Sequence, residues 1–515
     1  MRIFDTYVQK LKYKVLTELA RQTWVGNDAF SVFNDIANQV VKKGEPTMSC
    51  CIYKDRAIVA ERIRIALGGK KEDHNVIQVI DIACDECPVA GHVVTDLCRG
   101  CVAHACVDAC KLGAITVDSH QKAEIDKSKC VECGKCAKSC PYSAIANFKR
   151  PCERACKVDA ISMAPDGVAQ IDSEKCIECG ACVYKCPFGA TLDVSSITDI
   201  IKTIVDSDNN KNYHVHAIVA PAIAGQFQYA KAGQLISAIR ELGFYAVEEV
   251  ALGADIVAYK EAQELQEKGF LTSSCCPAFV KYIKMKFPQL AEHISHNLSP
   301  MAETGKLIKE QDPAAKIVFI GPCTAKKGEV RKPEVHQYVD YVMTFEELQA
   351  MIDSKDIAVD QLPETELDTA TYYGRVFART GGLSEAVTEA VREQKAAAEA
   401  AKADAPDGAG TSGAVASGES GASGKPANGD GACDGDSADS KPFVFDPIVC
   451  DGIDSCKTAL LRASKGLLPN NFIEGMVCTD GCIGGAACLS HGNADKRAID
   501  NYGKKATHKE IRDVL

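Results

Sequence analysis

The spacing of the cysteines limits how this chain can fold more than any other feature. Of the 27 cysteines in 515 residues, eighteen fall before residue 187, mostly in Cys-x-x-Cys runs. Two runs, beginning at Cys130 and Cys176, have the spacing Cys-x2-Cys-x2-Cys-x3-Cys-Pro. This spacing is typical of 4Fe-4S ligands, whereas zinc sites do not normally use it. The spacing predicts a fold built around iron-sulfur clusters, and such reduced thiols predict a cytoplasmic protein.

The sixteen cysteines between residues 84 and 186 divide into four sets of four. In two-cluster units, the fourth cysteine of each run ligates the cluster of the other run. The run from Cys98 to Cys110 is the partner of the run that begins at Cys130. The partner of the run that begins at Cys176 is split, with Cys84 and Cys87 before this unit and Cys152 and Cys156 after it. Four 4Fe-4S clusters are predicted, with these ligands: Cys98, Cys101, Cys106 and Cys140; Cys130, Cys133, Cys136 and Cys110; Cys84, Cys87, Cys152 and Cys186; Cys176, Cys179, Cys182 and Cys156.

Changes of pattern along the chain predict five segments. Amphipathic helices come first and should brace a double ferredoxin-like domain, in which a 98–148 unit is inserted into an 84–190 unit. Alternating strands and helices then predict an α/β domain. An insert rich in Ala, Gly, Ser and Asp, which contains Cys433, is predicted to be disordered and divides this domain in two. The five segments are 1–78, 79–194, 195–393, 394–440 and 441–515.

Single elements can be predicted as well. In the α/β domain the apolar pattern predicts strands and helices, and it predicts a polar helix at the end of the chain. The vicinal pair Cys50 and Cys51 is predicted to be buried and free, because no second pair lies nearby. The strands are expected at 215–220, 316–320 and 443–449, and the helices at 235–242 and 256–268.

Charge and hydropathy exclude several classes of function. The net charge is −11, and acidic and basic residues alternate without a basic stripe, which argues against nucleic-acid binding. No stretch reaches eighteen apolar residues, so no membrane span is expected, and the first thirty residues lack the pattern of a secretory signal. Small substrates or redox proteins are the expected partners.

Three stretches in the second half of the chain are predicted to form one further metal site. They span 272–277, 321–327 and 474–482, and together they contain five thiols, of which four are enough for a cubane. Cys275 stands next to a ligand without a partner of its own. Lys326 follows another ligand by three residues, and it either balances the thiolate charge or acts on a bound group.

These three stretches, in this order, resemble the signatures of the FeFe hydrogenases, over about residues 195–510. The segments 220–222 and 380–386 add to the resemblance, and the ferredoxin-like region is similar to the family's accessory relay. The resemblance implies a two-lobed α/β catalytic domain like the FeFe-hydrogenase large subunit, beside α+β ferredoxin-like domains. Its implied reaction is 2H⁺ + 2e⁻ ⇌ H₂, with protons and H₂ as substrates and a ferredoxin-like redox protein as electron partner.

The resemblance also implies the active-site residues. A cubane on Cys276, Cys323, Cys478 and Cys482 would share the Cys482 thiolate with a diiron azadithiolate unit bearing CO and cyanide, which maturation proteins of the host would supply. Lys326 would hydrogen-bond a cyanide, and Pro221, Ala222 and Met476 would contact the group. Cys275 would pass a proton to a Glu, a Ser and a second Glu, and the corresponding positions are Glu264, Ser295 and Glu261.

The chain departs from the family pattern at several positions. Phe279 stands where many members carry Trp, and Gly321 replaces a common Met. The residues after the third stretch run to Cys488, where the family has a Gly-rich run ending in Gln-Pro. Cys450, Cys456 and Cys488 either are structural thiols or protect the site. Three alternatives to the enzyme remain: an iron-sulfur assembly factor without a diiron unit, a hydrogen sensor, and an electron-transfer subunit with a fifth cubane. Thr324-Ala325 and the four-cubane relay argue against the assembly factor.

Overall fold

The computed structural model describes residues 4–27, 31–44, 47–70, 72–85, 87, 90–403 and 443–515. The N-terminal segment forms helices α1 (Tyr7–Trp24), α2 (Phe33–Val40) and α3 (Ile52–Ala66), in agreement with the apolar pattern. The side chains of Thr6 and Gln9 cap the first turn of α1 reciprocally. The largest contacts of α1 are with the later domain, on helices Phe345–Ser354 and Ile197–Asp206, and α3 reaches the cluster region. The predicted brace therefore supports both regions.

The cluster region consists of short strands and single helical turns. Strand β1 pairs antiparallel with β8, and this pair encloses the antiparallel pair β2–β5, while β3–β4 and β6–β7 form hairpins. The strand pairs are therefore nested along the chain. The elements are β1 (Ile77–Val79), α4 (Asp81–Cys84), β2 (Gly91–Val94), α5 (Ala105–Asp108), β3 (Ile115–Val117), β4 (Ala123–Ile125), α6 (Lys135–Ser139), β5 (Ile145–Phe148), α7 (Pro151–Ala155), β6 (Ile161–Met163), β7 (Ala169–Ile171), α8 (Ala181–Lys185) and β8 (Thr191–Asp193).

The turns after the four last ligands have one geometry. The third residue after each of these cysteines is left-handed, with φ of 61° at Gly113, 50° at Ser143, 56° at Asp159 and 58° at Gly189. In three of the four turns, the amide of the next residue donates to the cysteine sulfur, at 3.2 to 3.4 Å. Amide donors of this kind stabilise thiolates, so the residues that follow the last ligands form repeated thiolate-binding turns.

The α/β domain contains two parallel sheets, in the strand orders β10-β9-β12-β13 and β11-β15-β14. Its elements are α9 (Ile197–Asp206), β9 (Val215–Val219), α10 (Ile223–Gln226), α11 (Ala232–Glu241), β10 (Ala246–Glu249), α12 (Val250–Lys268), β11 (Leu271–Thr272), α13 (Pro277–Lys286), α14 (Pro300–Gln311), β12 (Lys316–Gly321), α15 (Ala325–Glu329), α16 (Pro333–His336), β13 (Tyr341–Thr344), α17 (Phe345–Ser354), α18 (Tyr372–Val376), α19 (Gly382–Ala403), β14 (Pro447–Asp451), α20 (Ile453–Ala463), β15 (Phe472–Met476) and α21 (Asn493–Gly503). Short 3₁₀ turns lie at Pro288–His293, Val359–Gln361, Cys482–Gly484 and Ile511–Asp513.

A buried ion network joins the three parts of the chain. Lys12 of α1 contacts Asp193 of β8 at 2.5 Å and Glu346 of α17 at 2.6 Å. Lys327 contacts the other oxygen of Asp193 at 2.7 Å and Glu347 at 2.8 Å. Although burial opposes ionisation, the two ammonium groups lower the pKa of Asp193 below its usual range. Removing one partner would leave buried charges unpaired, so the network fixes the cluster region against the α/β domain.

Several predicted boundaries were wrong. The strand predicted at 443–449 lies at Pro447–Asp451, and α12 begins six residues earlier than predicted. Helix α19 continues through Ala403, so the first ten residues of the predicted disordered insert are helical. The rest of the insert, 404–440 with Cys433, lies outside the described residues. Within the described part of the chain, no helix is long and apolar enough to cross a membrane.

Candidate metal centre

The three predicted stretches meet because they all follow parallel strands. Stretch 272–277 follows β11, stretch 321–327 follows β12, and β15 leads into Cys478. Ligands of α/β proteins commonly bind where the carboxyl ends of parallel strands converge. Here the carboxyl ends of both sheets border one mostly apolar cavity, and the four thiols of Cys276, Cys323, Cys478 and Cys482 line it.

The chemistry of the four thiols fits an iron-sulfur cluster. Burial, together with the neighbouring thiolates, raises the pKa of Cys323 to about 11 and that of Cys482 to about 12. Four such groups in a dry pocket would stay protonated unless a cationic group compensated their charge. An iron cluster provides that compensation, so the donor set fits the group that the resemblance implies.

Two of the three residues that the resemblance places around the bound group line the cavity. Pro221 and Met476 line it, whereas Ala222 does not and is fully buried in the core. The side chain of Phe319 accounts for the missing Met at position 321. A Cβ added to Gly321 would lie 2.6 Å from the Phe319 ring, and this ring lines the cavity. The cavity wall is therefore apolar here, although the residue differs from the common one.

Lys326 lies in the cavity wall and has a partner. Its Nζ contacts Glu329 Oε2 at 2.6 Å and donates to the backbone oxygen of Cys275 at 3.4 Å. Burial opposes the charge, but Glu329 and the nearby thiols raise the pKa of Lys326 above its ordinary value. Lys326 therefore stays cationic at the cavity, where it is able to donate to an anionic ligand.

The predicted proton-path residues come together, but in the reverse order. Glu261 is fully buried, and its Oε1 accepts from the backbone N and Oγ of Ser274 at 3.2 and 3.3 Å. Burial raises the pKa of Glu261 to about 7, and it raises that of the adjacent Cys275 thiol well above its ordinary value. Glu261 therefore lies next to Cys275, where Glu264 was expected.

Glu264 lies on the outer side of Ser295. The Ser295 hydroxyl donates to Glu264 Oε2 at 3.2 Å, and Lys268 contacts Glu264 Oε1 at 2.6 Å. Partial burial opposes ionisation of Glu264, but Lys268 and the backbone N–H and ring of His296 lower the pKa of this carboxyl. The direction of α12 explains the order, because its first turns border the cavity and its last turn reaches the surface. Position 261 must therefore lie deeper than position 264.

His296 was not among the predicted site residues. Its ring contacts Glu264 Oε1 at 2.8 Å, and its side chain is 74% exposed. His296 is thus the group that connects the carboxylate with solvent. It belongs to the loop before α14, and its one signal in the sequence is that it directly follows Ser295.

The second cysteine run lies against the cavity. Cys179 lines the same cavity as Cys478. The Thr324 hydroxyl donates to the backbone oxygen of Glu178 at 2.7 Å, and a Cβ on Gly180 would lie 2.6 Å from that hydroxyl. The second cysteine run is therefore in direct contact with the stretch that carries Cys323.

The structure brings the predicted relay ligands together. Besides burial, the neighbours Cys186, Cys84 and Cys87 raise the pKa of Cys152 to about 11. Cys182 is likewise close to Cys179, Cys176 and Cys156, Cys106 to Cys140 and Cys101, and Cys136 to Cys130 and Cys133. Cys98 and Cys110 pack in the same apolar cluster as Cys106 and Cys136.

The remaining described cysteines differ in exposure. Cys450, Cys456 and Cys488 are buried, and the thiol of Cys488 donates to the backbone oxygen of Ile483 at 3.2 Å. Cys50 and Cys51 are exposed, so the prediction that they are buried was wrong. They precede α3 at its first turn, where no apolar face covers them.

Comparison with known proteins identifies two family models and several relatives. The model of the iron only hydrogenase large subunit, C-terminal domain, matches residues 213–486, and that of the 4Fe-4S dicluster domain matches 97–144 and 150–190. Iron hydrogenase 1 of Clostridium pasteurianum is 29% identical over 308 residues, which are 54% of this chain and 52% of that relative. The periplasmic iron hydrogenase large subunit of Nitratidesulfovibrio vulgaris is 31% identical over 178 residues, or 30% of this chain and 42% of the relative.

Other relatives are named as iron-sulfur cluster assembly factors and not as hydrogenases. The cytosolic Fe-S cluster assembly factor NAR1 of Kluyveromyces lactis is 37% identical over 95 residues, covering 18% of this chain and 20% of the factor. Among solved structures, a variant of the FeFe-hydrogenase HydA1 from Chlamydomonas reinhardtii has a TM-score of 0.46 at 19% identity, covering 62% of this chain and 92% of that one. The chain spans about half, or less, of the length of these curated relatives. Because the large-subunit model matches more than half of the 515 residues, the chain belongs to the iron-only hydrogenase large subunit family.

Proposed function

We propose that the chain is a FeFe hydrogenase that catalyses 2H⁺ + 2e⁻ ⇌ H₂ at an H-cluster. One observation carries the proposal: a buried, protonatable carboxyl, Glu261, lies against the Cys275 segment at the wall of the thiol-lined cavity. A cubane that only transfers electrons does not need a proton path to its edge. A catalyst that consumes or releases protons does.

The ligands of the cluster would be the four cavity thiols. Cys276, Cys323, Cys478 and Cys482 would hold the cubane, and Lys326, Pro221 and Met476 would contact the diiron part. When bound, this group supplies the metal chemistry that joins protons and electrons as H₂. The apolar lining of the cavity excludes water, which strengthens the donor interaction of Lys326 with an anionic ligand.

Proton transfer is the work of the chain's own side chains. The Cys275 thiol stays protonated because burial raises its pKa, so it is able to donate a proton at the cavity and regain one from Glu261. Glu261 is half protonated near neutral pH, which suits a group that both accepts and donates. Ser295, Glu264 and His296 would continue the path to solvent.

Electrons would travel through four clusters in the double ferredoxin-like domain. The cluster on Cys176, Cys179, Cys182 and Cys156 would be innermost, since Cys179 borders the cavity. The inserted unit would be outermost. Exposed apolar side chains lie within two residues of its cysteines: Leu97, Val102, Leu112, Val131 and Tyr142. Such a surface suits transient docking of a ferredoxin-like partner in the cytoplasm.

The second candidate function is an iron-sulfur assembly factor, because NAR1 proteins also match the chain. A hydrogen sensor is a variant of the first candidate with slow turnover. The assembly factor and the sensor, like the enzyme, would keep the four cubane thiols, so these ligands do not separate the three functions. The diiron unit separates the assembly factor from the other two. The rate of H₂ turnover separates the sensor from the enzyme.

The test uses full-length protein matured with the host maturation proteins. The hydrogenase proposal predicts CO and cyanide bands in the infrared spectrum, H₂ turnover, and about 16 iron atoms from four relay cubanes besides the active site. Cys275→Ala should keep the bands and lose most turnover. Cys488→Ala, which removes a buried thiol outside the cavity, is the matched control and should keep both. A matured protein without diatomic bands would support the assembly factor and refute the enzyme.

A further inference from the structure

A second cluster of metal-ligating side chains lies at the opposite end of the central sheet. His214 and His216 flank the start of β9, and residues two apart on a strand share a face. Asp312 follows α14 and precedes β12, the strand next to β9. The cavity lies beyond the other end of β9, about 16 Å away at 3.3 Å per residue.

The three side chains converge. One ligand atom from each of His214, His216 and Asp312 lies within 4.8 Å of the other two. His214 Nδ1 contacts Asp312 Oδ2 at 2.7 Å, and the His214 ring stacks on Tyr245 with ring centroids 3.8 Å apart. The carboxylate and the stacked ring thus hold this imidazole in one orientation.

His216 has an unused nitrogen. Its Nδ1 contacts Glu248 Oε1 at 2.8 Å, while its Nε2 is buried and meets no hydrogen-bond partner among the described residues. The residue is 8% exposed. Burying a polar atom without a partner costs free energy. Pairing of Nδ1 with a carboxylate leaves the lone pair on Nε2, which is the arrangement that metal-binding histidines usually have.

The donor set selects a class of ion. Two imidazoles and one carboxylate suit Zn²⁺ and similar divalent transition metals, whereas Mg²⁺ and Ca²⁺ prefer oxygen ligands only. The side chains of His214 and Asp312 are 39% and 29% exposed, so an ion has access from solvent and water is able to complete its coordination.

We propose that His214, His216 and Asp312 bind a divalent transition-metal ion of the zinc type, with Glu248 as a positioning residue that holds the His216 ring. The ion would tie β9 to the loop before β12, and Glu248 would extend the tie to β10. The site is independent of the hydrogenase proposal, because it uses none of the cluster thiols.

The experiment measures zinc binding to the full-length, cluster-loaded protein. Equilibrium dialysis against zinc chloride gives the number of ions per chain and the affinity, and X-ray absorption at the zinc edge gives the ligand type. We expect one tightly bound zinc with nitrogen and oxygen ligands at about 2.0–2.1 Å, without the sulfur shell at about 2.3 Å that misplaced zinc on cysteines would produce.

The variants test the assignment of roles. His216→Gln should abolish the site, and Glu248→Gln, which alters only the positioning group, should weaken zinc binding by about 10- to 100-fold. His336→Gln changes an exposed histidine on α16 and should bind zinc like the wild type. If His216→Gln does not fold, Asp312→Asn is used as the ligand variant instead, because it keeps the shape of the side chain. Equal affinity in wild type and ligand variants, a sulfur shell, or no bound zinc would overturn the proposal.

Discussion

Replacing Glu261 with glutamine tests the proton path most directly. The substitution keeps the size of the side chain and removes its ability to carry a proton. At pH 7, an acid with a pKa of about 7 is half protonated, whereas one at the ordinary 4.5 would be protonated about once in 300 molecules. Burial therefore raises the protonated fraction about 150-fold. This factor falls in the range of about 10²–10⁴ that general acid-base groups contribute.

We expect Glu261→Gln to lower H₂ turnover at least about 100-fold while the CO and cyanide bands stay unchanged. The assay is H₂ evolution with a reduced viologen dye between pH 5 and 9, on samples matched for iron content. Asp255→Asn is the control, because Asp255 is equally buried, also has a pKa raised by burial to about 7, and bonds Thr371 away from the cavity. A Glu261→Gln protein with wild-type turnover and intact bands would refute the proton path.

The same shift predicts a pH dependence of stability. Burial raises the pKa of Glu261 in the folded state. Its favourable contribution to the free energy of unfolding is therefore complete below pH 4.5 and is lost as the pH rises through about 7. The loss amounts to about 3 kcal/mol, at about 1.4 kcal/mol for each pH unit between the two values. Glu261→Gln cannot ionise, so it should gain stability relative to the wild type between pH 5 and 8. If the difference in the free energy of unfolding between Glu261→Gln and the wild type stayed constant over this range, the pKa of the Glu261 carboxyl would not be raised.

Three further predictions concern other parts of the chain. His296→Gln should lower turnover by far less than about 100-fold, because water replaces an exposed group, and a complete loss in the same assay would contradict this role. Lys12→Met leaves Asp193 without one of its two buried partners and should lower the free energy of unfolding by about 3–5 kcal/mol, while a loss below 1 kcal/mol in urea unfolding would contradict it. Gly321→Ala places a Cβ 2.6 Å from the Phe319 ring and should cost about 1–3 kcal/mol, as seen in the melting temperature, and Gly321→Ala with Phe319→Leu should recover part of that loss.

The relay cysteines that lie together could be grouped from the sequence because most of them stand at short spacings within runs. The left-handed third residue after each last cysteine, such as Gly113 and Ser143, keeps one turn conformation. The pairing across runs follows from the two-cluster rule. No tertiary information was needed for these parts.

The order of the two glutamates was not predictable from the motif alone, because it depends on which end of α12 faces the cavity. The surrounding residues did carry a signal. Glu261 has Ala258, Ala262 and Leu265 as helix neighbours, all fully buried, whereas Glu264 has Lys268 one turn later in an ion pair. The apolar neighbours of Glu261 along the helix indicate that Glu261 lies deeper than Glu264.

The end of α19 was missed for a different reason. The low-complexity composition of 394–440 indicates disorder, but its first residues, 395–403, consist of Ala, Glu and Lys. These residues have high helix propensity, and they continue a helix that is already nucleated and packed at Leu383 and Val387. Propagation of an existing helix costs little, so local propensity outweighed composition.

In the proposed enzyme, the tandem pair of cysteines would keep protons and electrons apart at one site. Cys276 caps α13 and lines the cavity with the other three thiols, which the second cysteine run approaches through Cys179. Cys275, one residue earlier, packs with the apolar face of α12, and its neighbour Ser274 bonds Glu261. The exit from β11 therefore places two neighbouring thiols at the cavity, Cys276 among the ligand thiols and Cys275 beside the segment that bonds Glu261. A single strand end thus brings both substrates of the proposed reaction to one cavity from two directions.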